Sequence, residues 1–524
     1  VSENHEAGRA DPGTARLAGA AAAAAIAAST LIMIVVAAAG PSVSVPSLRR
    51  PAAGPPWWLS LHLTATFVTV ALWTAMVLGA AGVIAGLAAV ARGWRPPAGA
   101  LVAAGFLAVL AFTVLPPAGS TDSISYAASG RTAATGRDPY VVTPLQLARD
   151  GDPVARQIPF AEIPSTWNTA VSVYGPVATG VEWAAAELGG PSLARITFWL
   201  KLGEAVAFGA VTLALDRLLR ADPAMRLRAH LLWTVNPLVA WEIVGGGHID
   251  GLAAAFGLLG VTALRARPEA GPGGRRFRAG DVALAGVAIG VAAAIKAEWA
   301  LFGVAVAWAC RRSVRDLAVA AAGFLLVVVP AYLGAGAAAV RVLVTRSPGV
   351  TWDTMYQLLW RPVLGYTQFT VSDAPPHLEL VAYLLFAAVA VLAVARMPDR
   401  VPGLPAVTPA LALSLAWLFV TAFQRPWYDA MAVSLLALYS ASRLDWVVLL
   451  RLLAGATVYA QAVQSPAQPH WLQDIGQFDG AWLTPGVRLL GAAGLVWFCL
   501  SGRWGWRSAL PAPPGRLPEL LPLS

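Results

Sequence analysis

Residues 231–260 read LLWTVNPLVAWEIVGGGHIDGLAAAFGLLG. Two apolar runs, expected to span a membrane near 228–245 and 249–265, meet at Gly245-Gly246-Gly247. Three consecutive glycines make a tight turn and let backbones approach closely. Asn236, Glu242, His248 and Asp250 interrupt the runs. Ionisable groups at membrane depth are expensive, so they mark either function or mutual pairing. Pairing of Glu242 with His248 and a functional role stand level here. Two carboxylates and a histidine could bind a metal, but their spacing matches no metal signature.

The rest of the chain repeats this pattern. The 524 residues are 57% hydrophobic and 12% charged, with a mean hydropathy of +0.64. A soluble domain carries about 25% charged residues. Lipid can solvate the apolar surface that a soluble fold of this length could not bury. A spanning helix needs about 20 apolar residues. Candidate spans lie near 15–39, 60–91, 98–117, 191–219, 228–245, 249–265, 281–295, 297–310, 316–334, 377–396, 403–422, 426–441, 445–463 and 485–502. The expectation is an all-α polytopic membrane protein with about fourteen spans. It has one transmembrane domain, 15–502, between cytoplasmic tails 1–14 and 503–524. The first span reads as uncleaved, because no small-residue cleavage site follows a short apolar core.

The net charge of +9 does not point to nucleic acid. Arginines sit mainly in short loops: Arg92 and Arg95, Arg217 to Arg228, Arg311 to Arg315, Arg396 and Arg400. Basic short loops face the cytoplasm, which sets both termini inside a plasma membrane. Arg49 and Arg50 are the clearest exceptions. The two cysteines, Cys310 and Cys499, belong to apolar runs, which excludes a disulfide framework or a cysteine zinc site. Three sizeable outer loops follow: 118–190, 335–376 and 464–484. Residues 171–190 are apolar enough to span, but one more crossing would invert every later basic loop. They are therefore expected to form an amphipathic helix on the outer membrane surface.

Four polar features from distant stretches map to that outer face. Asp122 follows the third span closely, where a carboxylate can act as general base toward a sugar hydroxyl; a solvated loop acid or a helix cap is the plainer alternative. Asp138, before Pro139, is best explained as a turn initiator. The 245–250 turn is the second feature. The third is Lys296 with Glu298: Lys296 and Lys201 are the only lysines, and a cation there could hold a lipid-linked phosphate. The fourth is Gln424, Arg425, Trp427, Tyr428 and Asp429. Trp427 and Tyr428 suit an interfacial belt, whereas Arg425 opposes the positive-inside trend. Carboxylates, cations and aromatics gathered at the outer leaflet suit a sugar carried on a polyprenyl phosphate, with apolar grooves for the prenyl tail.

These residues, in this order, resemble the actinobacterial polyprenol-phosphomannose-dependent α-1,6-mannosyltransferases of the MptA and MptB type. The resemblance rests on Asp122-Ser-Ile-Ser-Tyr126, Gly136-Arg-Asp138-Pro-Tyr140, Trp167 and Tyr174-Gly-Pro176. It continues through Asn236-Pro237, Trp241-Glu242, Gly246-Gly-His248-Ile-Asp250-Gly251, Lys296 and Pro426-Trp427-Tyr428, over most of 98–460. It implies the GT-C glycosyltransferase fold with surface-lying helices in the first outer loop. It further implies inverting transfer of mannose from a polyprenyl phosphate to a lipoglycan hydroxyl of lipomannan type, with Asp122 as the base. Lys296 and Arg425 are then the candidates for the donor phosphate. Tyr126, Asp138, Tyr140, Trp167, Tyr174, Asn236, Glu242, His248, Asp250, Trp427 and Tyr428 are the candidates for substrate binding. Ile249 stands where many relatives are expected to carry asparagine. No cofactor is implied, and a divalent metal requirement is left open. Expected partners are the donor, the lipoglycan acceptor and membrane lipid, and no nucleic acid. An arabinosyl- or glucosyltransferase using the same carrier is the nearest alternative. A sugar or lipid transporter is the alternative from another class, but it would place its polar residues near the bilayer midplane.

Overall fold

The computed structural model describes residues 12–163, 165–267, 277–345, 349–351, 353–358, 376–460 and 468–504. Among these the chain is helical, with one isolated bridge between Ser42 and Val45. Six helices are long and apolar enough to cross a membrane, and a bent pair makes a seventh. That pair, Pro237–Gly245 and Asp250–Ala263, turns by 113° at the triple glycine, so the expected tight turn is present. Four more apolar helices are shorter: Ala98–Val114, Ala279–Ile295, Ala297–Cys310 and Val407–Val420.

Among the described residues, helices of spanning length thus number fewer than the expected fourteen. At about 1.5 Å per residue, a 17-residue helix covers ~25 Å of a ~30 Å hydrocarbon core. The run 426–441 shows why hydropathy overcounts. It begins with a 3-10 turn, Pro426–Asp429, and its α-helix is only Ala430–Leu436. Met431, Val433, Leu435 and Leu436 are fully buried, so this run is apolar because protein surrounds it. The third outer stretch also differs: His470–Ser501 is one 32-residue helical run.

Small residues set the helix packing. Without a hydrophobic drive between helices in lipid, close backbone approach supplies the contact. A Cβ at Gly286 would lie 2.1 Å from the Ala320 carbonyl oxygen, which locks Ala279–Ile295 against Val314–Ala335. Ser29 Oγ donates to the Ala75 carbonyl at 2.6 Å between the first two spans.

Within the expected first outer loop, the described residues form a helical layer of their own. Asp122–Ala134 packs on Pro176–Gly189, and Gly130 has no room for a side chain beside the Glu182 carbonyl. The 176–189 helix has 14 residues and buries Ala178, Glu182, Ala185, Ala186 and Gly189, while Trp183 and Leu188 are exposed. It is a 14-residue amphipathic helix, shorter than a membrane span. Arg131 pairs with Asp152 at 2.8 Å and pins the loop's outer edge. In the expected second outer loop, Ala337–Thr345 is helical, and residues 349–351 and 353–358 fold back onto the body of the protein. Much of the two expected tails, and residues 359–375, lie outside the described residues.

Candidate active site

Asp122 opens the 122–134 helix, and its backbone N–H donates to Ser120 Oγ at 3.1 Å. It is not a solvated loop acid, being only 7% exposed. It lines a cavity of about 730 Å³ with Lys296, Arg425, Trp427, Tyr428, Tyr174 and Trp167. That size falls within the ~300–1,000 Å³ usual for small-molecule sites. Chain segments near 122, 174, 296 and 425 therefore meet in one place.

Burial pushes the Asp122 carboxyl above the ordinary aspartate range, because a charge is disfavoured away from water. The cationic Arg425, and after it Lys296, pull in the other direction, as do the Tyr126 and Ser120 hydroxyls. A carboxylate tuned upward in this way is a better proton acceptor than a surface aspartate.

The two cations differ. Lys296 Nζ bonds both oxygens of Asp250, at 2.8 and 2.9 Å, and lies 3.3 Å from Glu298. It also sits 3.8 Å from the Tyr428 ring centroid. Arg425 stands over Phe423 at 4.7 Å and Tyr459 at 5.4 Å. Among the described residues no carboxylate is within salt-bridge distance of Arg425. An unmatched guanidinium facing a cavity is suited to a phosphate, which its planar fork can bind through two hydrogen bonds.

Other expected site residues support the wall. Tyr126 and Tyr174 share a hydrogen bond between their hydroxyls at 3.0 Å, with rings edge to face. The Tyr140 hydroxyl donates to the Tyr174 carbonyl at 3.0 Å. His248 lies flat on Trp427, centroids 3.6 Å apart, and its Nδ1 bonds the Glu242 backbone carbonyl. Glu242 and His248 thus meet through the main chain and not through the Glu242 carboxyl. Asn236 caps the Pro237–Ala240 helix by accepting from the Leu238 N–H at 3.1 Å. Asp138 is exposed and accepts from the Tyr140 N–H at 2.8 Å, the turn role read from Pro139. Tyr126, Asp138, Tyr140, Asn236, Glu242, His248 and Asp250 are not in the cavity lining.

The cavity lining also has an apolar part: Leu301, Val304, Val342, Leu343, Ala382 and Trp417. Glu379, Tyr383, Trp417 and Thr421 belong to the lining and were not singled out from sequence. Tyr383 and Trp417 sit inside apolar runs, where an aromatic looks like any lipid-facing ring. Among the described residues no three His, Cys, Asp or Glu side chains are grouped to hold a metal.

A family model described as α-(1→6)-mannopyranosyltransferase, N-terminal domain, matches residues 16–312. The α-(1→6)-mannopyranosyltransferase B of Corynebacterium glutamicum is 27% identical over 145 residues. That alignment spans 28% of this chain and only 23% of the relative. The crystal structure of ArnT from Cupriavidus metallidurans, bound to undecaprenyl phosphate, superposes with a TM-score of 0.36 and 16% identity. It covers 78% of this chain and 77% of that one.

Proposed function

We infer the reaction from the premise that the chain belongs to the MptA_B family of α-(1→6)-mannopyranosyltransferases, the family expected from the order of its motifs. The chain transfers mannose from a polyprenyl phosphate to a hydroxyl of a lipoglycan acceptor of lipomannan type. Its architecture is of the GT-C class, in the plasma membrane, with the cavity at the outer face and both termini in the cytoplasm.

The observation that carries this reading is the composition of one cavity. Asp122, Lys296 and Arg425 share it with apolar lining residues that include Leu301, Val304, Leu343 and Ala382. A polyprenyl phosphate sugar has the matching parts: an apolar tail, a phosphate and a polar ring.

The chemistry is a single displacement. The Asp122 carboxylate accepts the proton of the acceptor hydroxyl as its oxygen bonds to the anomeric carbon. The bond from that carbon to the phosphate oxygen breaks, and polyprenyl phosphate departs with the electron pair. Attack opposite the leaving group inverts the anomeric centre. Negative charge grows on the phosphate, where Arg425 stabilises it, with Lys296 adding its field across the cavity. Fixed charges aimed at developing charge supply the larger part of such rate enhancements. The test is product formation by the purified chain from labelled polyprenyl phosphate mannose and a mannan lipid. Product from a polyprenyl phosphate arabinose but not from the mannose donor would overturn the sugar assignment.

A further inference from the structure

Three buried or half-buried arginines are electrostatic neighbours, and one of them lines the cavity: Arg425, with Arg451 and Arg488. Two of them are matched by a carboxylate. Arg451 pairs with Asp429 and also bonds Gln424 Oε1 at 2.8 Å. Arg488, on the last span, pairs with Asp353 at 2.5 Å. Arg425 alone is left facing the cavity without one among the described residues.

Asp353 belongs to the second outer loop, which is fastened to the stretch that carries Arg425. The Thr351 N–H donates to the Ala422 carbonyl at 2.9 Å, and the Gln424 N–H donates to Thr351 Oγ1 at 3.2 Å. The Tyr356 hydroxyl donates to the Val420 carbonyl at 2.5 Å. This docking brings the Asp353 carboxylate into electrostatic range of Arg425. Asp353 Oδ1 has no hydrogen-bond partner among the described residues. A buried carboxylate that loses its cation is driven toward the next one available.

We propose that Arg488 is a positioning residue for the donor phosphate: by holding Asp353 it keeps that carboxylate from neutralising Arg425. The proposal rests on the reading that the cavity takes a polyprenyl phosphate. A plain structural role for the Asp353–Arg488 pair makes a different prediction, because loss of either partner would then loosen the loop and weaken binding.

The test uses the full chain in detergent with radiolabelled undecaprenyl phosphate as the probe, read as the label retained on the protein at equilibrium. Arg488→Gln weakens binding by about tenfold or more, because the freed carboxylate competes with the phosphate. Asp353→Asn binds within about threefold of wild type or more tightly, because the competitor is gone. The double variant Asp353→Asn/Arg488→Gln returns to within about threefold of wild type. If Arg488→Gln does not fold, Asp353→Asn carries the test alone. Weakening by Asp353→Asn, or a double variant as weak as Arg488→Gln, overturns the proposal. Failure of the wild-type chain to bind the probe overturns the reading of the cavity itself, and this proposal with it.

Discussion

Lys296 Nζ bonds both carboxylate oxygens of Asp250, although the two residues are 46 positions apart in the chain. The pair joins the end of the Ala279–Ile295 helix to the start of Asp250–Ala263, beside the cavity. Asp250 is 1% exposed, so removing its cation strands a buried charge, at a cost of about 3–5 kcal/mol. Lys296→Ala is expected to lower thermal stability in detergent and donor use together. Lys296→Met combined with Asp250→Asn recovers most of the stability but not the donor use. Thermal melts beside donor kinetics check this. A Lys296→Ala protein with wild-type stability and wild-type donor kinetics would remove the pair from both roles.

Arg425 has no such carboxylate partner among the described residues, so its loss is expected to affect the reaction more than the fold. Arg425→Ala costs roughly 2–4 kcal/mol of transition-state stabilisation, and Arg425→Lys restores part of it, because an ammonium lacks the planar fork. The same variant has a signature in pH. Burial raises the Asp122 carboxyl, and Arg425 is the largest opposing influence. The base works only when ionised, so the rate falls as pH drops through that raised value. Removing Arg425 lifts the value further and shifts the acid limb of kcat/KM to higher pH. An acid limb that stays in place, or moves down, would contradict the electrostatic link between the two residues.

Gly175 lies where the first outer loop touches the Lys296 turn. Its N–H donates to the Ile295 carbonyl at 2.9 Å, and an added Cβ would meet the Ala294 carbonyl oxygen at 2.1 Å. Gly175→Ala must push the loop away from the turn, with an overpacking cost of about 1–3 kcal/mol. Tyr174 is the next residue and lines the cavity. The expected outcome is membrane insertion as in wild type with a reduced kcat. Gly180→Ala, at a position with open space, serves as the control.

Much of this site was legible in the sequence, and the reason is cost. Asp122, Lys296 and Arg425 are charges beside apolar runs, where a charge is retained only for a purpose, and all three line the cavity. The resemblance in motif order pointed to the family that the chain belongs to. What could not be read was the division of labour among polar residues. Asn236 looked like a site residue and is a helix cap; Tyr140 holds the Tyr174 backbone, and Tyr126 acts on Tyr174 and on the Asp122 carboxyl without lining the cavity. Glu379, Tyr383 and Trp417 gave no signal, because one polar or aromatic residue in an apolar run has many structural explanations. Fourteen spans are not confirmed among the described residues for a related reason: hydropathy does not separate a run buried in protein, such as 430–436, from one buried in lipid.

Orientation has its own test. Cys310 and Cys499 are both buried, so new surface cysteines can be labelled against a low background. Thr135 and Arg312 are exposed on segments expected on opposite sides. In intact cells, a membrane-impermeant maleimide is expected to label Thr135→Cys and to spare Arg312→Cys until the cells are opened. Labelling of both from one side would sink the proposed orientation.

The central claim is that Asp122 is the base of a mannosyl transfer, and transfer of labelled mannose from polyprenyl phosphate mannose by purified Asp122→Asn protein tests it most directly. Asparagine keeps the shape but cannot take the proton, so turnover is expected to fall by at least about 10²–10⁴-fold, with folding and donor binding retained. Asp138→Asn, in an exposed turn, should keep most of its activity. Near wild-type turnover by Asp122→Asn, with Asp138→Asn inactive, would contradict the account.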